Sequence, residues 1–221
     1  MLDLTTNDLI NFEIQEKETH LKVFADADLA EKALALLFNL RSELETFIAT
    51  TPRFKEAYSP VNVPFRSPQL IKNMAWAARK GKVGPMASVA GAIAELIGKE
   101  LLKYSKEVIV INGNDAFVQT DYEREFAIPN SNYMLKIDPR DCPMAFSTLT
   151  NLGTAEALVV KSKSGALADA AATAIGNVLR DPIEYDDVMK LAKKIRGLKG
   201  VLFTKGDFIG AIGKMDIRSK G

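Results

Sequence analysis

One cysteine, Cys142, and one histidine, His20, occur in 221 residues. A lone thiol excludes an intramolecular disulfide and any zinc or iron–sulfur centre built on several thiolates. A lone imidazole excludes every scheme that needs two and leaves a Ser-His-Asp triad without support. Net charge is equally scarce, because 29 Lys and Arg offset 28 Asp and Glu to give +1. The chain therefore lacks the basic footprint by which proteins hold the phosphates of nucleic acid, and no nucleic-acid partner is expected. The longest apolar run, residues 83–94, ends at Glu95, short of the roughly 20 residues that a membrane-spanning helix requires. The first ten residues carry Asp3 and Asp8 and no basic segment ahead of an apolar one, so neither a signal peptide nor a membrane anchor is expected, and the reading is cytoplasmic.

What is present suits an ordinary globule: 47% hydrophobic and 26% charged residues, with enough chain for one sizeable core, read as a single domain over 1–221. Alternation over 11–15 and 20–25, around a charged 16–18 turn, predicts an opening hairpin. The period then changes. Leu29, Ala33, Leu36, Leu37, Leu40, Leu44, Phe47 and Ile48 share one face of a helix that must close before Pro52. Prolines 60, 64 and 68 mark a loop, a helix is predicted over 69–79, and another runs from Pro85 to about Tyr104 with Gly84 as its cap. Strands are predicted over 107–111 and 115–120 around Asn112-Gly113, over 125–128, 133–137 and 157–161, and in a closing hairpin of 200–204 with 208–217. Helices are predicted over 167–179 and 185–196. Strands and helices in uneven clusters predict an α+β fold with a mixed, largely antiparallel sheet covered by helices.

Three places could carry chemistry. In the alanine-rich segment 167–179, Asp169, Thr173, Asn177 and Arg180 fall on one stripe. A carboxylate and a hydroxyl one turn apart form a hard, all-oxygen pair suited to Mg²⁺ or Ca²⁺; the alternative is that Asp169 complements a helix dipole and Thr173 faces solvent. The helix after Gly84 presents Ala87, Ala90, Gly91 and Ala94 as a strip almost without side chains. Either a nucleotide phosphate lies against it or another element packs tightly there. It is neither a Walker loop nor a Rossmann fingerprint. The third place is the turn Asn112-Gly113-Asn114, followed by Asp115 at the start of a strand that otherwise carries Ala116, Phe117 and Val118, a setting that disfavours aspartate. A plain hairpin explains Asn112 and Gly113 but not Asp115. Cys142 has no histidine near it in sequence to activate it, and His20 reads as a surface strand residue.

Taken in order, the stretches 79–95 (RKGKVGPMASVAGAIAE), 110–115 (VINGND) and 168–177 (ADAAATAIGN) resemble the small ApbE-like proteins, and the likeness runs from about Glu18 to Gly213. The resemblance implies a single ApbE-like, T-fold-like domain. Larger ApbE proteins bind FAD, cleave its pyrophosphate with Mg²⁺ and attach FMN to a threonine or serine of a target protein. It thus implies that Asp169 and Thr173 ligate the metal, and that Gly84, Ala87, Ala90 and Gly91, with Asn112, Gly113 and Asn114, line a flavin-nucleotide cleft. Asp115 is then the carboxylate that orients or deprotonates the incoming hydroxyl.

The chain departs from the resemblance in two places. Asn114 stands where related small members carry a second glycine, and 146–153 (FSTLTNLG) is shorter than their Thr-Ser-Ser-Gly and Gly-His-Ser stretch and lacks its histidine. The expected function is a Mg²⁺-assisted cleft for a flavin nucleotide or other small phosphorylated ligand, a divergent FMN transferase with a protein acceptor. The alternative on the same fold is a non-catalytic protein that binds a metabolite or docks a partner. Homo-oligomers are compatible with either.

Overall fold

In a computed structural model the described residues are 3–4, 6, 8–152, 155–179, 185–205 and 208–220. Eight strands form one antiparallel sheet in the order β11-β10-β9-β8-β5-β4-β3-β2. These are β2 (Ile10–Glu16), β3 (Thr19–Ala25), β4 (Val108–Asn112), β5 (Asp115–Gln119), β8 (Met144–Leu152), β9 (Ala155–Ser162), β10 (Leu198–Lys205) and β11 (Phe208–Gly213). A second antiparallel sheet orders β1 (Asp3–Leu4), β6 (Arg124–Ala127), β7 (Tyr133–Ile137) and β12 (Ile217–Ser219) as β1-β6-β7-β12. The helices are α1 (Ala30–Thr50), α2 (Arg53–Glu56), α3 (Gln69–Gly81), α4 (Val89–Leu101), α5 (Gly165–Gly176) and α6 (Tyr185–Lys194). Among the described residues no helix is long and apolar enough to cross a membrane.

The large sheet is apolar on both faces because it separates two cores. Val108, Val110, Phe117, Leu158, Val160, Val201 and Phe203 point to the helices. Their strand neighbours Ile109, Ile111, Ala116, Val118, Phe146, Ala157, Val159 and Leu202 point to the small sheet, where they meet Phe126, Leu135 and Ile137. This two-residue period makes the central strands read as continuous apolar runs.

Helix α5 is buried on most of its circumference, with Ala166, Leu167, Ala168, Ala170, Ala171, Ala172, Ala174 and Ile175 all inside. Small side chains let its neighbours come to backbone distance. A Cβ built on Gly91 of α4 would stand 2.2 Å from the Gly165 carbonyl oxygen, and one on Gly165 would stand 2.2 Å from that of Gly91. The two helices thus cross backbone on backbone, while Gly81 at the end of α3 lies 3.0 Å, by the same measure, from the Ala170 carbonyl.

Several boundaries differ from the sequence reading. The segment expected to be helical from Pro85 starts as a 3-10 turn over Pro85–Ser88 and becomes α-helical only at Val89. The expected strand over 208–217 ends at Gly213, whose φ of +72° turns the chain. Ile217–Ser219 then joins β7 in the other sheet, so one expected sheet is two. Strand β8, with its broken alternation, is not among the expected strands. The hairpin turn is displaced by one residue: Asn112 pairs with Asp115, so Gly113 and Asn114 are its central residues. Of the two only Gly113 has positive φ, +62°, which is the glycine-first II′ pattern and not the Asn-Gly I′ pattern.

The crossing is testable against the turn. Gly91→Ala forces a methyl into a carbonyl and is expected to cost about 1–3 kcal/mol, a melting-temperature loss of several degrees for a chain of this size. Gly113→Ala meets no atom within 4 Å and carries only the backbone strain of about 1 kcal/mol. Calorimetry showing Gly91→Ala to be the milder change contradicts the backbone contact.

Candidate functional site

The sheet's alternation sends Asn112, Asp115 and Ser147 to the helix side, since they share faces with Val110, Phe117 and Ala145 and pair across strands β4, β5 and β8. They form a polar edge on an otherwise apolar face. Opposite them, the crossing of α4 and α5 sets Asp169 beneath the first turn of α4. Asp169 Oδ2 accepts the Gly91 N–H at 2.9 Å, and Asn112 Nδ2 donates to the Ala90 carbonyl at 3.1 Å. Neighbouring backbone groups at the start of α4 are therefore held from two sides, an N–H by a carboxylate from α5 and a carbonyl by an amide from β4. The orphan amides of a helix start take such an acceptor readily.

Asp115 and Asp169 feel each other. Burial pushes the Asp115 carboxyl well above the usual range, the charge of Asp169 pushes it further, and the Ser147 hydroxyl pulls it partly back. Asp115 Oδ1 is buried without a hydrogen-bond partner. Burial raises Asp169 to about 7, opposed by the amides of Gly91 and Ala90. Two desolvated carboxyls close enough to feel each other's charge favour a shared proton or a shared cation.

Thr173 follows Asp169 by one turn of α5 and opens into a cleft of about 490 Å³, lined also by Gly84, Met86, Ala87 and Asn177 and, on the other wall, by residues 55–58. The structure thus divides the sequence candidates. Gly84, Ala87 and Thr173 belong to this cleft, and Asn112, Asp115, Ala90, Gly91 and Asp169 to the polar edge beside it. Gly113 and Asn114 close the hairpin, where the Asn114 carbonyl accepts the Thr148 amide at 2.9 Å. Arg180, the last member of the stripe, lies outside the described residues.

What approaches the bare strip is protein at two points: the Gly165 backbone at Gly91, and the Ala57 carbonyl at Gly84, where an added Cβ would come within 1.8 Å. Ser147 and the 55–58 wall carry no signal in the sequence. The first sits on the unexpected strand, and the second belongs to a proline-broken loop without periodicity.

The donor set fits a divalent cation of the hard, oxygen-seeking kind. Among the described residues no three His, Cys, Asp or Glu come together, but Mg²⁺ commonly takes only one or two carboxylates and fills its shell with waters and phosphate oxygens. An orphaned carboxylate oxygen beside a second carboxyl supplies that minimum.

Residues 3–195 match the family model described as AbpE bacteria. A UPF0280 protein of Methanococcus maripaludis is 32% identical, with 91% of this chain and 90% of that one aligned. A UPF0280 protein of Methanosarcina acetivorans is 32% identical over 91% of this chain and 85% of its own. Among solved structures, the flavin transferase ApbE from Vibrio cholerae superposes with a TM-score of 0.61 at 9% identity, covering 92% of this chain and 96% of that one. The apo form of the Pseudomonas stutzeri flavinyl transferase ApbE gives 0.61 at 12% identity, covering 95% and 96%. At these identities the superpositions establish the fold.

The carboxyl pair sets a pH signature. Unfolded aspartates ionise near 4, whereas Asp169 in the fold holds its proton to about 7. Between those values the folded state binds more protons, so stability in a chelating buffer falls as pH rises from about 4 to about 7 and levels above it. Asp169→Asn should make that limb shallower in a denaturant series, the part due to the buried Asp115 remaining; an unchanged slope means the Asp169 carboxyl is not desolvated as described.

Proposed function

The chain belongs to the family described as AbpE bacteria, and from that membership and the buried, electrostatically coupled carboxyls of Asp115 and Asp169 we propose a flavin-nucleotide site that works with a divalent cation, in a divergent FMN transferase. The neighbours of the same fold are flavin transferases by name, which supports FAD as the nucleotide and a protein as acceptor. The single observation that carries the reading is the buried, unpartnered Oδ1 of Asp115 beside the raised carboxyl of Asp169.

Asp169 would hold Mg²⁺, with the Thr173 hydroxyl one turn along α5 toward the cleft. When bound, the ion supplies positive charge to pyrophosphate oxygens. The remaining roles belong to the chain. Gly84 and Ala87 line the cleft in which a nucleotide would lie. Asn112 and Asp169 fix the backbone at 90–91, so the amides at the start of α4 do not reorganise as charge builds nearby. Asp115, whose burial raises its proton affinity above that of an ordinary aspartate, is suited to take the proton of an incoming hydroxyl, and Ser147 orients it.

A non-catalytic reading rests on the backbone contacts at Gly84 and Gly91, which explain their missing side chains without a ligand. One experiment separates the readings. With FAD at about a hundredfold excess over its Kd, ligand linkage predicts about 2.7 kcal/mol of stabilisation, several degrees of melting temperature, larger with Mg²⁺ than with chelator, and Asp169→Asn should remove the Mg²⁺-dependent part. AMP release from FAD on adding Mg²⁺ supports transfer chemistry, while binding without release leaves the metabolite-binding protein. An unmoved melting temperature at millimolar FAD and Mg²⁺ removes the flavin site and leaves the non-catalytic reading without a flavin ligand.

A further inference from the structure

The end of α6 gathers positive charge that no neighbouring acid neutralises. Lys193, Arg196 and Lys199 line a cavity of about 210 Å³ between that helix end and the β10–β11 hairpin, and no acidic residue lines it. Among the described residues no ion pair reaches any of the three, whereas Lys190, one turn earlier on the same helix, meets Asp187 at 3.2 Å. The pull of a helix C-terminus on cations accounts for Lys193, in the last turn of α6. It does not account for Arg196 and Lys199, which stand beyond the helix, because that pull fades within the terminal turn.

The backbone around the cavity is shaped to keep this charge there. Gly197, at a φ of +110°, turns the chain out of α6 toward β10. The ladder between β9 and β10 then shifts register between Leu198 and Gly200, an irregularity of the kind that re-aims a side chain. Its effect shows in the packing. Leu198 rests on the helix-side core with Val201 and Phe203, whereas Leu202, an even number of residues away, points to the other core. Lys199 sits inside the shift and lines the cavity. Its carbonyl, an acceptor that would repel an anion, is spent on the Lys214 amide at 3.1 Å. The turn at Gly213 packs against that carbonyl, since an added Cβ would stand 2.3 Å from it. Ile195, Val201 and Ile212 supply apolar wall, and a hollow of one charge sign with low-dielectric walls concentrates its field on a counter-ion.

We propose that this cavity binds a phosphate group, as the free ion or as the end of a small phosphomonoester. Size and charge select it. The volume lies below the roughly 300–1,000 Å³ of pockets for larger ligands. At about 30 Å³ per water molecule it holds one phosphate with part of its hydration and no nucleotide. Three cations suit a dianion, and the Arg196 guanidinium is the planar fork that matches phosphate oxygens. The site stands independently of the flavin reading. It adjoins the opening turn of α5, where a Cβ on Gly197 would come 2.9 Å from Leu167 Cδ2, and it shares no lining residue with the cleft at Thr173.

The test is isothermal titration calorimetry on the full-length chain in EDTA, with sodium chloride holding ionic strength constant and inorganic phosphate or glycerol 3-phosphate as the titrant. One saturable site per chain is expected, weakened at least about tenfold by Arg196→Gln or Lys199→Met. Lys194→Gln should leave it unchanged, because that lysine does not line the cavity. Binding of both titrants supports recognition of the phosphate group itself, and binding of inorganic phosphate alone supports a free-ion site. The absence of a saturable site, or an equal loss from Lys194→Gln, the mark of diffuse charge, overturns the proposal. The unaltered chain offers a second measurement. At fixed ionic strength, phosphate should slow acetylation of Lys193 and Lys199, followed by peptide mapping, and not that of Lys194; equal rates at all three overturn the site.

Discussion

Backbone-to-backbone contact between α4 and α5 is the constraint from which the rest of the helix layer follows. With Gly91 and Gly165 each against the other's carbonyl, neither helix can shift along its axis without a clash, because packed interiors do not yield continuously. That fixed crossing brings the Asp169 carboxylate under the opening amides of α4. It also fixes the distance from α5 to the strand ends that carry Asn112, Asp115 and Ser147. Glu95 secures the other end of the contact by accepting the Gly165 amide at 2.7 Å and the Ser164 hydroxyl at 3.0 Å.

The price of this arrangement is electrostatic. Two aspartates withdrawn from water oppose each other, a cost that a purely structural interior would shed by substitution of an apolar or amide side chain. Strained or desolvated groups kept at a packed junction are the usual mark of a working site. The same logic separates Asp169 from Glu95. Glu95 is as deeply placed but has a lysine, a hydroxyl and an amide around it, and so is accounted for by packing and capping alone.

Much of this is legible in the sequence. The periods of 29–48 and 69–79 give α1 and α3 their inward faces, and the alternation of 11–15 and 20–25 gives the first hairpin. Asp169 and Thr173 share one side of α5 as spacing alone requires. Asp115 stands out because an aspartate opens a strand of apolar residues, and it is the one that meets Asp169. The differences have local causes. At Asn112-Gly113 both turn registers suit the residues, and the choice falls to the ladder, in which Asn112 pairs with Asp115 and spends its amide on Ala90. Strand β8 escapes the sequence pattern because its polar residues on the helix-facing side, Ser147 among them, blur the alternation.

The sequence by itself determined the helical or extended state of most segments, β8 excepted, and which side chains each carries on a given face, because these depend on neighbours a few positions away. It also removed whole chemistries by withholding a second cysteine and a second histidine. Only the tertiary structure decided that the bare strip at Gly91 is filled by another helix, that Asp115 and Asp169 come together from residues 54 positions apart, and that the apolar strands divide between two cores. Those outcomes depend on where chain segments distant in sequence come to rest against one another, and no local pattern of residues encodes that meeting.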